Sequence, residues 1–376
     1  MEVTHCALCR VDDAQLLYEG RDRLLGGNET FHMVRCRRCG LIYLNPRPTL
    51  EEMDRYYPQH YEPFTRAEMA KSWYSRLAYR VAIAKRCHIA SHRRSVRRAL
   101  LHRFPLDRTT VPQPAAGHTG SAATHGQGLG RLLDVGCGDG DFMLGMQQRG
   151  WEVHGLDISP VAVTLARQKG LDVFQGKLLD GNYPEAGFDR VTMWDVLEHL
   201  HDPEVQLARV VQLLRPGGRL VATFPNPHCL DFRLFGSAWT GLDIPRHVYV
   251  YTRPALLAML ERAGLEVVSA RCVTGGQRVS TWSLEWLIEE RVADERRKRT
   301  LKRIIYSRAW YWAWRPVYFV IDLLGLGSSI TYTCQSIPDP AHRRPVQTAV
   351  QCGPPFSAEH SDAAQRRSAA MQGWLP

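Results

Sequence analysis

The stretch that decides the fold is Leu132-Leu133-Asp134-Val135-Gly136-Cys137-Gly138-Asp139-Gly140-Asp141-Phe142. A short apolar run, LLDV, leads into the spacing G-x-G-x-G, and an amphipathic stretch follows as far as Arg149. Glycines at this spacing let the backbone turn sharply and approach a ligand closely. The stretch therefore predicts a strand, a ligand-binding loop and a helix, with Gly150 as the residue that ends the helix.

The chain on the carboxyl side repeats this alternation of strand and helix. A second strand ends in Asp157, a position where a carboxylate can accept the hydroxyls of a ribose. Ser159 and Pro160 then supply an N-cap and a first helical residue. Further strands are predicted at 171–176, 188–194 and 219–224. The pattern predicts a parallel α/β sheet with its ligand crevice at the carboxyl ends of the first, second and fourth strands.

A nicotinamide-dependent dehydrogenase is the rival interpretation of the glycine loop. Its loop usually has the spacing G-x-G-x-x-G, because the third glycine lets the helix N-terminus meet a pyrophosphate. Here the spacing is G-x-G-x-G, and Asp139 and Asp141 lie in the loop. Carboxylates would repel a pyrophosphate but tolerate a sulfonium and an ammonium group. The sequence therefore favours a cationic ligand over a pyrophosphate.

Taken together, these segments resemble the class I S-adenosylmethionine-dependent methyltransferases of type 11/23. The family pattern is carried, in order, by LDVGCGDG, GLDIS, FDRVTMWDVLEHLHDP and LLRPGGRLVATFPN across residues 131–275. The PGG turn and the LEH after strand four are similar to ubiquinone-pathway O-methyltransferases. The cysteine-rich N-terminus followed by CGLIYLNPRP resembles bacterial methyltransferases of glycan and secondary-metabolite pathways. The resemblance implies an α/β fold, a Rossmann-like seven-stranded methyltransferase sheet.

The resemblance also implies a role for each residue along the crevice. The loop glycines would lie against the methionine part of the cofactor, Asp134 would orient its amine, and Asp157 would bind its ribose. Trp194 and Asp195 would line the sulfonium region. Many relatives carry an aspartate where Lys177 stands, so adenine contact is assigned to Leu178 instead. The predicted cofactor-binding residues are Asp134, Gly136, Gly138, Gly140, Asp157, Ile158, Leu178, Trp194 and Asp195.

Two histidines are candidates for catalysis, because a general base helps methyl transfer to a hydroxyl or an acidic carbon. His199 follows strand four, and His247 lies in the loop after strand five, which covers the acceptor pocket in the family fold. The alternatives are a structural histidine for His199 and a hydrogen-bonded loop anchor for His247. Near His247, three side chains are expected to bind an anionic or ring-containing acceptor: Trp239, Arg246 and Tyr249.

Four cysteines near the N-terminus form two C-x-x-C pairs, Cys6 with Cys9 and Cys36 with Cys39. This layout is typical of a structural zinc site, and four thiolates leave no open position for catalysis. Disulfides are the alternative, and the expected reducing compartment disfavours them. Gly40 follows the last cysteine, where the turn requires positive φ. Zinc would supply folding energy that so short a segment cannot obtain from a core.

The last part of the sheet is expected to contain an insertion. Strand six is predicted at 265–273 and an antiparallel seventh strand at 328–334, which leaves 278–326 as a helical insertion before the last strand. Arginines and lysines from 291 to 303 precede a segment rich in tryptophan and tyrosine, as at a membrane–water interface. Peripheral membrane contact through 291–326 is one expectation, and packing on the sheet or on another subunit is the other.

Composition and charge complete the domain prediction. The chain has 376 residues, 44% of them hydrophobic, and a net charge of +10, so it is neither a disordered nor a fibrous chain. Residues 69–106 hold ten Lys and Arg and no acidic residue, so the remainder is balanced. The predicted units are a zinc module (1–48), a basic helical segment (49–106), a flexible linker (107–130), the methyltransferase domain (131–335) and a disordered tail (336–376).

The functional prediction is a methyltransferase acting on a small-molecule, sugar or glycan, or lipid-linked acceptor, with oxygen favoured over carbon. The alternatives are an RNA-directed methyltransferase or zinc-containing nucleic-acid adaptor, and a cofactor-binding scaffold without catalysis. A nucleic-acid partner is not favoured, because residues 131–275 carry a net charge of −3. The N-terminus lacks a signal-peptide pattern, so a cytoplasmic location is expected, with a peripheral position at the inner membrane face as an extension. The oligomeric state and the acceptor are left open.

Overall fold

The computed structural model describes residues 1–57, 73–91, 129–272 and 276–337. The predicted linker and tail fall almost wholly outside these residues, as do large parts of the basic segment. The strands are β1 Ala14–Gly20, β2 Phe31–Cys36, β3 Ile42–Leu44, β4 Gly130–Val135, β5 Trp151–Asp157, β6 Asp172–Gln175, β7 Phe188–Trp194, β8 Leu214–Pro225, β9 Tyr249–Val250, β10 Leu265–Arg271 and β11 Ser329–Ser336. The helices are α1 Leu50–Met53, α2 Trp73–Ser91, α3 Asp141–Gln147, α4 Pro160–Gln168, α5 Pro203–Leu213, α6 Leu230–Phe235, α7 Arg253–Arg262, α8 Gly276–Arg291, α9 Glu295–Ile305 and α10 Arg308–Leu323.

The central sheet has seven strands in the order β10-β11-β8-β7-β4-β5-β6. Strand β4 pairs in parallel with both β5 and β7, so the strand order reverses beside β4 and opens a crevice at its carboxyl end. Strand β11 runs antiparallel between β8 and β10. Helices α8 to α10 form the insertion before it. The predicted seven-stranded α/β fold, with its helical insertion before the last strand, is confirmed.

Helices cover both faces of this sheet. Neighbouring residues of β4 illustrate the arrangement, because Leu133 packs in the core beneath α5 and α7, whereas Leu132 packs beneath α2, α3 and α4. Successive side chains of a strand point to opposite faces, so a strand buried on both sides is apolar along its length. This is why LLDV is a continuous apolar run rather than an alternating one.

The three helices of the insertion pack on one another. Lys302 of α9 lies 3.0 Å from a carboxylate oxygen of Glu285 on α8. The side-chain amide of Gln277 on α8 donates to the carbonyl of Tyr311 on α10 at 2.8 Å. Helix α8 also holds the loop before β9, where the Thr240 amide donates to the Ser283 hydroxyl at 3.0 Å. No helix among the described residues is long and apolar enough to cross a membrane.

A second sheet joins the N-terminal segment to the loop that follows β8. Its order is β1-β2-β3-β9, so β3, the last of three strands from the first 44 residues, pairs with a short strand that begins two residues after His247. Tyr43 pairs with Tyr249, and Ile42 pairs with Val250. The N-terminal module is therefore continuous, through backbone hydrogen bonds, with the loop that carries the candidate catalytic histidine.

A buried ion pair reinforces this junction. The Arg246 side chain is completely buried, and its Nη1 and Nη2 donate to the two carboxylate oxygens of Asp22 at 2.9 and 3.0 Å. The same guanidinium donates to Asp243 at 2.7 Å and to the carbonyl of Tyr56 at 3.3 Å. These carboxylates raise the pKa of Arg246 despite its burial. A buried guanidinium is tolerated only when it is paired and hydrogen-bonded in this way.

We expect Asp22→Ala to lower the free energy of unfolding by about 3 kcal/mol, because it leaves a buried cation without its bidentate partner. Asp22→Asn keeps an oxygen for the Leu24 and Leu25 amides that Asp22 caps, so it isolates the loss of charge. Asp13→Ala is the matched control, since Asp13 pairs with Arg37 at an exposed site. Urea unfolding curves measure the difference, and an equal effect of Asp22→Ala and Asp13→Ala would contradict the assignment.

Candidate functional site

The glycine loop lies between β4 and α3, at the point where the strand order reverses. Gly136, Gly138 and Gly140 have φ values of 71°, 57° and 80°, in the left-handed region that favours glycine. A side chain at two of them would also collide with a neighbour. A Cβ on Gly136 would lie 2.7 Å from a methyl carbon of Val196, and one on Gly140 would lie 2.4 Å from a methyl carbon of Leu171. The loop therefore exposes bare backbone at the crevice.

Two buried aspartates support this loop. Asp157 accepts hydrogen bonds from the Gly138 amide at 2.8 Å and from the Ser159 amide at 2.9 Å, which fixes the ends of β4 and β5 together. Asp134 accepts a hydrogen bond from the Thr192 hydroxyl at 2.6 Å. Burial raises the pKa of both carboxyls, that of Asp134 to about 7. Asp134 thus lies beneath the loop and contacts β7, whereas Asp157 holds the loop through the Gly138 amide.

The remaining predicted cofactor residues lie at the same edge of the sheet. Trp194 and Asp195 stand at the carboxyl end of β7, where Asp195 adopts a left-handed φ of 58°. The indole Nε1 of Trp194 is buried and has no hydrogen-bond partner among the described residues. Ile158 is exposed beyond β5, and Leu178 is buried beyond β6. A group with hydrogen-bond acceptors would fit the bare backbone of the loop at this edge.

Two basic side chains, Arg86 and Lys169, make contacts at this edge that were not predicted. Arg86 of α2, from the basic segment, donates to a carboxylate oxygen of Asp195 at 3.2 Å and lies over the Trp194 ring at 5.0 Å. Lys169 lies 2.6 Å from Asp141 and 3.3 Å from Asp139. The loop carboxylates are therefore paired, which weakens the electrostatic argument made from them against a pyrophosphate. The glycine spacing and the order of the strands distinguish this chain from a nicotinamide-dependent dehydrogenase instead.

The two candidate catalytic histidines meet beside this edge. The rings of His199 and His247 pack edge to face with their centroids 4.6 Å apart. Glu198 joins them, and one potential ligand atom from each of the three residues lies within 4.8 Å of the others. The sequence analysis did not predict Glu198, although it directly precedes His199. Both carboxylate oxygens of Glu198 are buried without a hydrogen-bond partner among the described residues.

Backbone carbonyls determine the tautomer of both histidines. The Nδ1 of His199 lies 2.9 Å from the Arg246 carbonyl, and the Nδ1 of His247 lies 2.9 Å from the Gly241 carbonyl. A carbonyl oxygen can only accept, so Nδ1 of each ring carries a proton, and the Tyr57 hydroxyl lies 3.0 Å from the same Nδ1 of His199. Burial lowers the pKa of His199 to about 3 and raises that of Glu198 well above its ordinary value. His199 is therefore uncharged at neutral pH, and burial favours the protonated form of Glu198.

The three side chains expected to contact an acceptor have other roles. Trp239 is completely buried, and Arg246 is held by Asp22 and Asp243. The Tyr249 hydroxyl donates to the His201 carbonyl at 3.0 Å. That prediction was wrong, because an aromatic or basic residue in a loop can be buried by a distant segment that the local sequence does not reveal. Here the N-terminal sheet covers the loop.

The four N-terminal cysteines converge on one point. Their sulfur atoms lie within 4.8 Å of one another, and those of Cys6 and Cys39 are 3.5 Å apart. Both pairs form the same turn, since the Arg10 amide donates to the Cys6 carbonyl and the Gly40 amide to the Cys36 carbonyl. Gly40 has the expected positive φ of 75°. Tetrahedral zinc with Zn–S bonds of about 2.3 Å requires sulfur atoms about 3.8 Å apart, so the cluster fits this ion.

Comparison with known proteins agrees with this architecture. Residues 89–270 match a family model described as a methyltransferase domain. A ubiquinone biosynthesis O-methyltransferase of Cereibacter sphaeroides (strain ATCC 17025) is 31% identical over 170 residues, which cover 42% of this chain and 68% of that protein. One from Azoarcus sp. (strain BH72) is 34% identical over 175 residues, covering 42% and 71%. One from Ruegeria sp. (strain TM1040) is 32% identical over 166 residues, covering 41% and 67%.

The matched region contains the glycine loop, Asp157 and the Glu198, His199 and His247 cluster, whereas the four cysteines and the helices of the insertion lie outside it. Relatives of this identity, matched over two thirds of their own length, share more than a common sheet. This chain belongs to the class I S-adenosylmethionine-dependent methyltransferases.

Proposed function

We propose that the enzyme methylates a hydroxyl group of a small-molecule acceptor. The observation that carries this proposal is the cluster of Glu198, His199 and His247, in which backbone carbonyls hold Nδ1 of both rings and leave the Nε2 atoms for an acceptor. A hydroxyl must lose its proton as it is methylated, and an imidazole lone pair is suited to accept that proton at neutral pH. The relatives named above carry the description O-methyltransferase, which supports oxygen rather than carbon as the acceptor atom.

S-adenosylmethionine supplies the methyl group, and we assign its binding to the predicted edge of the sheet. Gly136 and Gly138 present backbone to its amino-acid part, and the lone pairs of Asp157 that are not used by amides accept ribose hydroxyls. Trp194 and Asp195 lie nearest the acceptor side of that edge. Arg86 braces Asp195 from α2, so it is a positioning residue for this part of the site.

His247 is the base in this proposal. Its Nδ1–H is held by the Gly241 carbonyl, so the ring orientation is fixed and Nε2 takes the acceptor proton as the oxygen–methyl bond forms. The pKa of His199, lowered to about 3 by burial, makes it a poor base. His199 instead packs against the His247 ring and limits its movement.

The same cluster also suits a divalent cation, because two imidazoles and one carboxylate are common metal ligands. A buried carboxylate without a partner supports this second possibility, since a cation at Glu198 would offset its burial. Such a cation would lower the pKa of a hydroxyl bound to it and would replace His247 as the means of deprotonation.

The proposed chemical class of the acceptor rests on the names of the relatives. The relatives are named for ubiquinone biosynthesis, so we favour a hydroxylated ring on a small or lipid-linked molecule. The same proposed mechanism also applies to hydroxyl groups of sugars and glycans. The RNA-directed alternative gains no support from these names.

The four cysteines are proposed to hold a structural zinc ion. Cys6, Cys9, Cys36 and Cys39 would complete a tetrahedral thiolate site with no open position. Because β3 of the same module pairs with β9, the ion would stabilise the covering of the acceptor loop as well as its own turns.

Asp157→Ala is expected to raise the dissociation constant of S-adenosylmethionine at least tenfold, because the ribose loses a carboxylate acceptor. Isothermal titration calorimetry measures this constant without an acceptor. Asp172→Ala is the control, since Asp172 is an exposed aspartate of the adjacent strand. Unchanged donor affinity in a folded Asp157→Ala protein would show the ribose assignment to be wrong.

His247→Ala is expected to reduce kcat about 100-fold or more while donor affinity stays near that of the wild type, because only the proton acceptor is removed. Transfer of label from tritiated S-adenosylmethionine into organic and aqueous cell extracts measures turnover and reveals the acceptor fraction. His32→Ala, on strand β2 of the N-terminal sheet, is the control. Full turnover by His247→Ala would refute its role as the base.

The base and cation mechanisms differ in their response to chelation. Activity that persists in EDTA and falls with His247→Ala supports the base. Activity that is lost in EDTA, restored by a divalent cation and absent in Glu198→Gln assigns the cluster to cation binding instead.

For the cysteine site, we expect one zinc ion per chain by elemental analysis, and loss of that zinc in Cys36→Ser together with a lower thermal midpoint. Cys272→Ser is the matched control, because Cys272 is also buried but lies outside the cluster. Wild-type protein without zinc, or Cys36→Ser with full zinc content, would contradict the proposal.

A further inference from the structure

Helix α10 carries the largest exposed apolar surface of the insertion. None of its residues is buried, and Phe319 retains 68% of its side-chain exposure. The exposed apolar side chains of α10 and of the turn that follows it are Trp312, Trp314, Val317, Phe319, Val320, Leu323 and Leu324. Trp312, Phe319 and Leu323 lie on one stripe, because positions seven and eleven residues apart return to the same side of a helix. A contiguous apolar surface of this kind indicates a binding surface.

The packing of the insertion determines which way this surface faces. Tyr311 and Asp322 of α10 lie against α8, where the Tyr311 carbonyl accepts from Gln277 and an Asp322 oxygen is 3.2 Å from the position of a Cβ on Gly276. In α9, Lys298 and Lys302 likewise pair with glutamates of α8. The opposite sides of α9 and α10 therefore both face away from α8.

The outward side of α9 is basic. Arg296, Arg299 and Arg303 are exposed, and Arg296 and Arg303, seven residues apart, lie on the side of the helix away from the lysines that meet α8. The nearby glutamates of α8, Glu285 and Glu289, are paired with those lysines, so they do not neutralise the arginines. The insertion thus presents an arginine-rich helix next to an aromatic and aliphatic one.

We propose that the outward surface of α9 and α10 docks on a phospholipid bilayer with anionic headgroups. Aromatic and aliphatic side chains insert at the headgroup boundary, and adjacent arginines bind the negative surface. A second copy of the chain is a poorer occupant, because a two-fold contact through this surface would bring two arginine-rich helices together. Arg315 within α10 and the length of the helix, 16 residues, favour a position on the bilayer rather than across it.

This docking would place the bilayer on the acceptor side of the enzyme. Helix α8 lies between the docking surface and the loop before β9, where Ser283 accepts from the Thr240 amide. The next residue, Gly241, supplies the carbonyl that accepts from His247. The docking itself does not depend on the proposed acceptor, and it can be tested without measuring methyl transfer.

The test is flotation of the full chain with phosphatidylcholine vesicles that contain or lack phosphatidylglycerol, at low and high salt. We expect binding to the anionic vesicles that weakens at high salt, because screening reduces the attraction of arginines to headgroups. Trp312→Ser/Phe319→Ser/Leu323→Ser and Arg296→Gln/Arg299→Gln/Arg303→Gln are each expected to weaken binding at least tenfold.

Matched controls use exposed residues elsewhere on the molecule. Leu24→Ser/Leu50→Ser/Val205→Ser removes three exposed aliphatic side chains, and Arg37→Gln/Arg38→Gln/Arg55→Gln removes three exposed arginines. Both controls should bind like the wild type, and circular dichroism verifies folding of every variant. No flotation with anionic vesicles overturns the proposal, as do equal losses in the test and control variants. The proposal is also overturned if light scattering shows a dimer, the apolar test variant abolishes that dimer, and the wild type does not bind vesicles.

Discussion

The site depends on one buried cation. Arg246 lies between Asp22 of the N-terminal module and Asp243 of its own loop, and its backbone carbonyl fixes His199. A guanidinium in this position has a high desolvation cost, so the loop adopts the geometry that supplies both carboxylates. The adjacent residue is His247, and its position follows from the same constraint. The histidine pair is thus oriented by an interaction that joins segments more than 220 residues apart.

This dependence gives the N-terminal module a role in the enzyme's active site. The region that matches the family begins at residue 89, so β1, β2 and β3 lie outside the family match. By pairing with β9 it covers the loop that carries His247, and the insertion after β10 holds the same loop from α8. The proposed acceptor side is therefore enclosed largely by elements that lie outside the family match. Acceptor specificity in this chain is expected to differ from that of relatives that share only the sheet.

The sequence predicted those parts of the molecule that local patterns determine. The apolar run before Gly136 predicted a strand and the loop after it, and the acidic end of β5 predicted the edge where the proposed cofactor residues meet. Short-range sterics and the burial of strands determine these features. Contacts between distant segments could not be predicted in this way. Arg86 was classed with a basic segment, yet it pairs with Asp195, and Tyr249 was assigned to an acceptor although β3 buries it. Glu198 was missed because nothing local distinguishes a buried glutamate from a surface one.

The charge state of the histidine cluster accords with the proposed reaction. His199 is uncharged at neutral pH because burial lowers the pKa of its imidazole to about 3, and burial also raises the pKa of the Glu198 carboxyl. Methyl transfer from a sulfonium to a hydroxyl removes the positive charge from sulfur and releases one proton. In the proposed reaction that one proton passes to Nε2 of His247, and the resulting positive charge lies next to the Glu198 carboxyl. Despite its burial, the Asp243 carboxyl has a lowered pKa because it interacts with Arg246 and with both histidines, so its negative charge favours a positive charge on His247.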